Sequence, residues 1–365
     1  MKPFKITSKS NKARTGIFTT RTGQYETPFF MPVATKAAVK YLDAEELEEI
    51  STQSIISNAF LLYLKPGLDV IKKHKGLHNF MNWKNCIFTD SGGFQVLSLN
   101  DFKDKFSDKG LKFKSPFDGS LHELTPKKVM EIEQTLGSDV AMCLDQMPLY
   151  SSTYEQVKEA TARTHLFAKQ CIKYHKGKSQ LLFGIAQGGT FPDLRKQSAQ
   201  FISNLPFDGI ALGGLAVGEP LDKMKEMIKI SIENMPEEKP KYLMGVGSPK
   251  EIIEAVEQGI DIFDSVWPTR NARHGKIFTS EGYLEIEKSQ NKNSPEPLEK
   301  NCNCKVCKTY TCAYLHHLFK TNEPTGKKLL SYHNLYFLQD LMRKIRGAIK
   351  EGKFKELKDE YSCFG

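Results

Sequence analysis

Three aspartates close short apolar runs in this chain: Asp90 in Thr89-Asp90-Ser91-Gly92-Gly93, Asp145 in Leu144-Asp145-Gln146, and Asp264 in Phe263-Asp264-Ser265. A carboxylate can attack an electrophilic carbon, move a proton, or accept hydrogen bonds from a nitrogenous base. Taken singly, an acid at a strand end caps the next helix or braces a loop about as readily as it does chemistry. The three read differently if the runs are parallel strands of one barrel. The C-terminal ends of such strands meet on one face, so distant residues share one pocket, and three acids there point to carboxylate chemistry. Gly92-Gly93 after Asp90, Gly188-Gly189 after Gln187 and Gly213-Gly214 after Leu212 would let a planar ligand approach the backbone. Glycine turns at a barrel mouth also suit phosphate, so alone they do not choose a ligand.

A second constellation is Cys302-x-Cys304-x2-Cys307. Three thiolates within six residues can wrap one tetrahedral Zn²⁺, and Cys312, His316, His317 and His333 compete to be the fourth ligand. Four protein ligands leave no open position, which makes such a site structural. The other cysteines, Cys86, Cys143, Cys171 and Cys363, are scattered, and clustered thiols in a reducing compartment read as metal ligands rather than disulfides. Arg270 and Arg273, in Pro268-Thr269-Arg270-Asn271-Ala272-Arg273, follow Asp264 closely. Phosphate contact and a solvated loop explain them equally until the acids are considered. Together they point to an anionic polymer lying across a carboxylate site. The excess of Lys+Arg 52 over Asp+Glu 43, a net charge of +9, agrees with a polyanionic partner without identifying one.

The elements that must position these residues follow from the apolar runs. Strands are expected over 29–34, 54–58, 86–89, 140–144, 181–186, 209–212, 242–245 and 261–263, each short and rich in Ile, Val, Phe or Leu, as strands buried on both faces should be. Between them, Asp43 caps a helix over 44–50, Thr125 with Pro126 opens one to 136, and Ser152 or Thr153 opens a long one towards 174. Further helices fit 192–204, 221–235 and 249–258. Eight strands with intervening helices is the arithmetic of an α/β (β/α)8 TIM-like barrel, favoured over an open doubly wound sheet, although counting does not show closure. The stretch 102–123 breaks the rhythm with a hairpin signal around Phe117-Asp118-Gly119, placed to rim the pocket mouth. The loop 290–301 leads out of the barrel into the cysteines. We therefore expect one barrel domain over 1–365, a zinc-binding module within it at 290–340, and a C-terminal helix after that. Residues 1–16 carry no apolar signal core, and no stretch approaches the roughly 18 to 20 apolar residues of a spanning helix, so a cytoplasmic protein with no membrane partner is expected.

Along nearly its whole length the chain resembles bacterial tRNA-guanine transglycosylase, the queuosine-pathway enzyme family. The resemblance is carried by Thr89-Asp90-Ser91-Gly92-Gly93-Phe94-Gln95-Val96, Gly184-Ile185-Ala186-Gln187-Gly188-Gly189 and Gly213-Gly214-Leu215-Ala216-Val217-Gly218-Glu219. Tyr242-Leu243-Met244-Gly245-Val246-Gly247, Phe263-Asp264-Ser265-Val266-Trp267-Pro268-Thr269-Arg270 and the cysteine cluster complete it. The resemblance implies exchange of guanine at the anticodon wobble position of tRNA for 7-aminomethyl-7-deazaguanine, with no energy-carrying cofactor. It implies that Asp264 is the nucleophile towards the ribose anomeric carbon and Asp90 the general acid/base. Base recognition falls to Asp145, Gln187 and the backbone of Gly214 and Leu215, with Phe94 and Met244 sandwiching the ring. Val217 and Glu219 would line the space for the incoming base's side chain, and Thr269, Arg270 and Arg273 would contact the anticodon loop. Cys302, Cys304, Cys307 and His333 become the Zn²⁺ ligands, leaving His316 and His317 to packing or surface. The implied partners are tRNAs with GUN anticodons (the Asp, Asn, His and Tyr types), a deazaguanine base, and a second copy in a homodimer.

The chain departs from the family pattern in three places. Phe94 stands where Tyr is usual, Gln146-Met147 where Glu-Cys is common, and Cys312 where Arg is usual. None touches Asp90 or Asp264, so the reaction class stands, while the larger side chain after Asp145 would alter fit or affinity for the incoming base. Three other readings compete: the same chemistry with another deazaguanine, a noncatalytic tRNA-binding partner subunit, and a phosphate-binding metabolic barrel.

Overall fold

The computed structural model describes residues 2–92 and 106–364. The chain opens on an antiparallel sheet of β1 (Phe4–Ser10), β2 (Ala13–Thr20) and β3 (Gly23–Thr27). The barrel begins with β4 (Phe29–Ala34), β5 (Ser54–Asn58) and β6 (Cys86–Asp90). An inserted antiparallel sheet follows, made of β7 (Phe106–Ser107), β8 (Gly110–Lys114) and β9 (Leu121–Leu124). The barrel resumes with β10 (Val140–Met142), β11 (Leu181–Ala186), β12 (Gly209–Leu212), β13 (Lys241–Leu243) and β14 (Ile262–Ser265). All eight barrel strands pair in parallel, and β14 against β4 closes the ring. Met244 and Gly245, expected to extend β13, lie beyond its end and line the pocket instead.

The helices start where the caps predict. Asp43 and Thr153 form capping boxes with Glu46 and Gln156, and Thr125 Oγ1 accepts from Lys128 N ahead of the Pro126–Leu136 helix. Their apolar faces cover the barrel, whose interior is filled by Phe29, Phe88, Phe183 and Tyr242.

The N-terminal sheet has no counterpart among the sequence expectations, because its polar alternation is a weak hydrophobic signal. It closes the lower mouth of the barrel. Phe18 from β2 reaches Phe29, Phe88 and Phe183 at ring separations of 6.3, 6.0 and 5.9 Å. Three aspartates brace this mouth, each just before a strand. Asp139 accepts from Ile87 N at 2.9 Å, Asp208 from Leu182 N at 2.9 Å, and Asp261 from Lys241 N at 2.7 Å.

The hairpin of β8 and β9 packs Phe113 edge-on against Phe60, whose Cβ abuts Gly92 at the upper mouth. Beyond the barrel, β15 (Lys276–Thr279) and β16 (Gly282–Glu285) form a second hairpin. The cysteine loop and two short helices then lead into the long helix Pro324–Glu351, followed by Phe354–Glu360. The long helix begins inside the span expected for the module, carries His333 itself, and packs along the Trp267–Arg273 helix. Among the described residues no helix is long and apolar enough to cross a membrane.

Candidate active site

The upper mouth opens into a cavity of about 440 Å³ that brings together residues from most of the strand ends. Asp90, Asp145, Gln187, Gly214, Leu215, Val217, Met244, Asp264 and Arg270 line it, as do Met147 and Tyr242. Convergence of the three acids, expected from their strand-end positions, is therefore realised in the fold. Phe94 lies outside the described residues.

Asp264 sits near the end of β14 with its two oxygens in different surroundings. Oδ1 accepts from the Tyr242 hydroxyl at 2.6 Å and from Gly245 N at 2.9 Å. Oδ2 accepts no hydrogen bond among the described residues. Burial raises the carboxyl above its usual range, and the Tyr242 and Gly245 donors pull it back down. Tyr242 is fully buried, and its hydroxyl is pushed well up by burial and by Asp264. It therefore stays a donor at any ordinary pH. Across the mouth, Asp90 ends β6 and its Oδ2 accepts from Asn58 Nδ2 at 3.2 Å.

Asp145 is buried, and its Oδ2 accepts from Gln187 Nε2 at 2.6 Å. Burial pushes its carboxyl up to about 6, with hydrogen bonds from Gln187 and Ser91 opposing the shift. Gln187 Oε1 is buried and without a partner, next to Gly214. A buried acceptor left open in the wall of a cavity is a ligand contact in waiting.

The loop after β12 is shaped by Glu219, whose carboxylate accepts from Ala216 N at 2.5 Å and Val217 N at 3.0 Å. Ala216 is held there at a φ of +57°. Glu219 thus faces its own loop and a smaller neighbouring cavity of about 210 Å³, while Val217 faces the main one. Of the expected RNA-facing residues, Arg270 borders the cavity and is exposed. Arg273 donates through Nε to Thr269 O at 3.0 Å. Thr269 itself is buried, with its hydroxyl given to Val266 O at 3.2 Å. Val266 and Trp267, at the rim, are the exposed apolar residues here.

Cys302, Cys304, Cys307 and His333 converge, their ligand atoms all within 4.8 Å of one another. His333 Nδ1 faces the three sulfurs at 3.9, 3.5 and 3.3 Å, and Nε2 donates to Phe278 O at 2.8 Å. That outer hydrogen bond fixes the tautomer with Nδ1 free to ligate, as second-shell carbonyls do for metal-bound imidazoles. Cys312 is directed elsewhere, to Pro297 O at 3.3 Å, and His316 is buried against Ile286 O at 2.8 Å.

Sequence reasoning missed Tyr242, Asn58 and Arg195. Asn58 carried a signal, a polar residue closing an apolar strand. Tyr242 looked like any strand aromatic, and Arg195 like a charge on an amphipathic helix.

A barrel with an acid-lined mouth and a Cys3His cluster beside it is the frame of an enzyme. A family model described as queuine tRNA-ribosyltransferase matches residues 9–363. A Thermotoga petrophila protein named queuine tRNA-ribosyltransferase is 48% identical over 357 residues, covering 98% of this chain and 96% of that protein. Relatives of the same name from Halothermothrix orenii and Fusobacterium nucleatum are 48% and 47% identical, over 96% and 98% of this chain and 94% and 96% of theirs. The chain belongs to the queuine tRNA-ribosyltransferase family.

Proposed function

We propose that this protein exchanges guanine at the wobble position of tRNAs with GUN anticodons for 7-aminomethyl-7-deazaguanine, through a covalent aspartyl-tRNA intermediate. The observation that carries the reading is the asymmetry of Asp264. One oxygen is pinned by Tyr242 and Gly245, and the other is left free at a cavity shared with Asp90 and Asp145. A nucleophile held this way keeps its orientation while the attacking lone pair stays available.

In the first displacement Oδ2 of Asp264 forms an ester bond to ribose C1′ as the C1′–N9 bond breaks, and the electron pair leaves with guanine. Asp90 supplies the proton the departing base needs. In the second, Asp90 takes the N9 proton of the incoming base, N9 attacks C1′, and Asp264 leaves as carboxylate. Two inversions retain configuration, and the oxocarbenium-like charge at each step is stabilised by the carboxylate beside it. A guanine edge carries N1–H and N2–H₂ donors and an O6 acceptor. Asp145 accepts from the donors, and Gln187 with the Gly214 and Leu215 peptides completes the edge. Met244 covers one ring face, and by family resemblance Phe94 covers the other. Val217 and Glu219 shape the side-chain end of the pocket, Arg270 and Arg273 meet backbone phosphates, and Thr269 supports that helix from within. The base must leave the anticodon stack to enter such a pocket.

The metal that fits Cys302, Cys304, Cys307 and His333 is Zn²⁺. Tetrahedral zinc with Zn–S of about 2.3 Å and Zn–N of about 2.0–2.1 Å asks for the Nδ1–Sγ spacings found here. Its role is structural, tying the cysteine loop to the long helix. A cytoplasmic homodimer is the assembly that the family resemblance supports.

The test is incorporation of labelled guanine into unmodified tRNA bearing a wobble guanosine, with Asp264→Asn alongside. Wild-type exchange with a denaturation-resistant adduct, both lost in the variant while tRNA still binds, is the expected result. Binding without incorporation by the wild type would leave a noncatalytic tRNA-binding subunit.

A further inference from the structure

The helix Pro192–Ser203 lies behind β11 and β12 and sends two fully buried side chains towards the loops at their ends. Arg195 donates through Nε to Gly189 O at 2.7 Å, through Nη1 to Ala186 O at 3.3 Å, and through Nη2 to Gly214 O at 3.1 Å. One turn later, Ser198 Oγ accepts from Gln187 N at 3.0 Å and bonds His165 Nε2 at 2.9 Å. Among the described residues no carboxylate pairs with Arg195 at ion-pair distance. A guanidinium buried on carbonyls alone is a costly way to fill space, since an apolar side chain would avoid desolvating the charge. Burial pushes this guanidinium down to about 9, with Glu219 drawing it back up, so it remains cationic at neutral pH.

The loops it grips cannot be replaced by ordinary ones. Gly188, Gly189 and Gly214 have φ of +134°, +54° and +67°. A Cβ on Gly188 would stand 2.7 Å from Arg195 N, and one on Gly214 2.5 Å from Gln187 Oε1. Both loops are thus folded tightly around the guanidinium on one side and the Asp145–Gln187 pair on the other. The forked, planar donor set of arginine matches three carbonyls from two loops in a way one ammonium cannot.

We infer that Arg195 is a positioning residue that sets base selectivity, by holding the Gly214 carbonyl on the helix side of the pocket wall. The inference rests on the base-exchange reading above. A trans peptide points its C=O and N–H in opposite directions. With the Gly214 carbonyl turned to Arg195, the Leu215 N–H is turned to the cavity side, and this peptide offers a donor rather than an acceptor. That face suits an oxo group at the purine 6-position and disfavours a base lacking one. Without the fork, the Gly214 peptide can rotate and present its carbonyl to the ligand, which would repel the same oxygen.

The experiment compares wild type with Arg195→Lys and Arg195→Gln. The readouts are KM and kcat for guanine exchange into tRNA, and the ratio of inhibition constants of guanine and 2-aminopurine, which lacks the oxygen and the N1–H. The lost N1–H contact to Asp145 is common to wild type and variants, so a change in the ratio between them reports the 6-position. The expected result is a KM for guanine raised about 10-fold or more with kcat changed far less, and a guanine preference that falls by about the same factor. Bound zinc and tRNA affinity should stay at wild-type levels. An unchanged ratio in a folded variant would overturn the inference, even if the melting temperature drops, because a brace that only stabilises does not read the 6-position. If one variant fails to fold, the ratio in the other decides. A wild type that neither binds nor exchanges guanine would defeat the base-exchange reading and this inference together. A wild type that does both, with variants of equal ratio, would defeat the inference alone.

Discussion

Asp145 concentrates the conflict between burial and charge that the proposed base-binding pocket needs. In the proposed role its carboxylate must be ionised to accept two donors from a base, yet burial holds its pKa at about 6, well above the ordinary aspartate value. Below that pH the proton occupies an acceptor position that the ligand requires. Affinity for free guanine, measured by calorimetry without tRNA, should be flat above about pH 7 and fall roughly tenfold per unit below about 6. Asp145→Asn should bind weakly at every pH with no such slope. Constant wild-type affinity between about pH 5 and 8 would mean that another group accepts from the base. The stability consequence has its own sign. A folded-state pKa above the unfolded value means the folded protein keeps a proton that the unfolded chain gives up. This contribution is complete below about 4 and lost as pH rises through about 6. The pocket is thus less stable in the charged state that the proposed base contact requires, a strain suited to a site that would gain its missing donors from the ligand.

At the scale of elements, strands buried on both faces announce themselves as apolar runs, and Asp43, Thr125 and Thr153 announce the helices they cap. The N-terminal sheet stayed hidden because strands such as β1 alternate half-buried and exposed positions, filled after Phe4 largely by Lys, Ser and Thr. The site was legible to the same extent. Aspartates at strand ends could be read, but Tyr242 and Arg195 could not, because pairing a hydroxyl with Asp264 or a guanidinium with loop carbonyls requires knowing which helix backs which strand. The choice of His333 over Cys312 also needed either the family pattern or the fold, since spacing alone left four contenders. That histidine has a neighbour that links the cysteine module to the pocket. Asn334 donates to Pro268 O and Lys276 O, both at 3.0 Å, and accepts from Phe278 N at 3.0 Å. The long helix therefore clamps the start of the helix that bears Arg270 and Arg273. Cys304→Ser should release the metal and loosen the clamp. We expect tRNA affinity to fall more than free-guanine affinity, together with a lower melting temperature. Retained zinc by elemental analysis, or equal losses for tRNA and guanine, would show that the module is not coupled to the RNA-facing helix in this way.

The whole molecule divides its work between the two mouths of one barrel, and its aspartates make the division visible. Asp90, Asp145 and Asp264 follow or close strands and face a cavity, whereas Asp139, Asp208 and Asp261 precede strands and accept main-chain amides. At the lower mouth an N–H in the first two residues of a neighbouring strand needs an acceptor, and a carboxylate just ahead of the adjoining strand supplies it. Asp261 also carries the tightest brace, a buried ion pair with Arg14 from the covering sheet at 2.6 and 2.9 Å. Arg14 extends it to Glu237 O at 2.6 Å and Lys239 O at 3.1 Å, so the sheet is bonded to the barrel floor at one dense point. Removing one partner of such a pair strands the other charge in the interior, at about 3–5 kcal/mol. Arg14→Met should therefore lower unfolding free energy by about that amount, seen as a reduced urea midpoint with little change in slope. Exchange kinetics per folded molecule should stay within about twofold of wild type, because the disturbed floor is separated from the upper mouth by the layer of Phe29, Phe88 and Phe183. A kcat that fell far beyond the loss of folded protein would mean that this aromatic layer transmits strain from the floor to Tyr242, which packs on Phe88 at a ring separation of 5.9 Å. The lower mouth would then belong to the catalytic apparatus as well as to the scaffold.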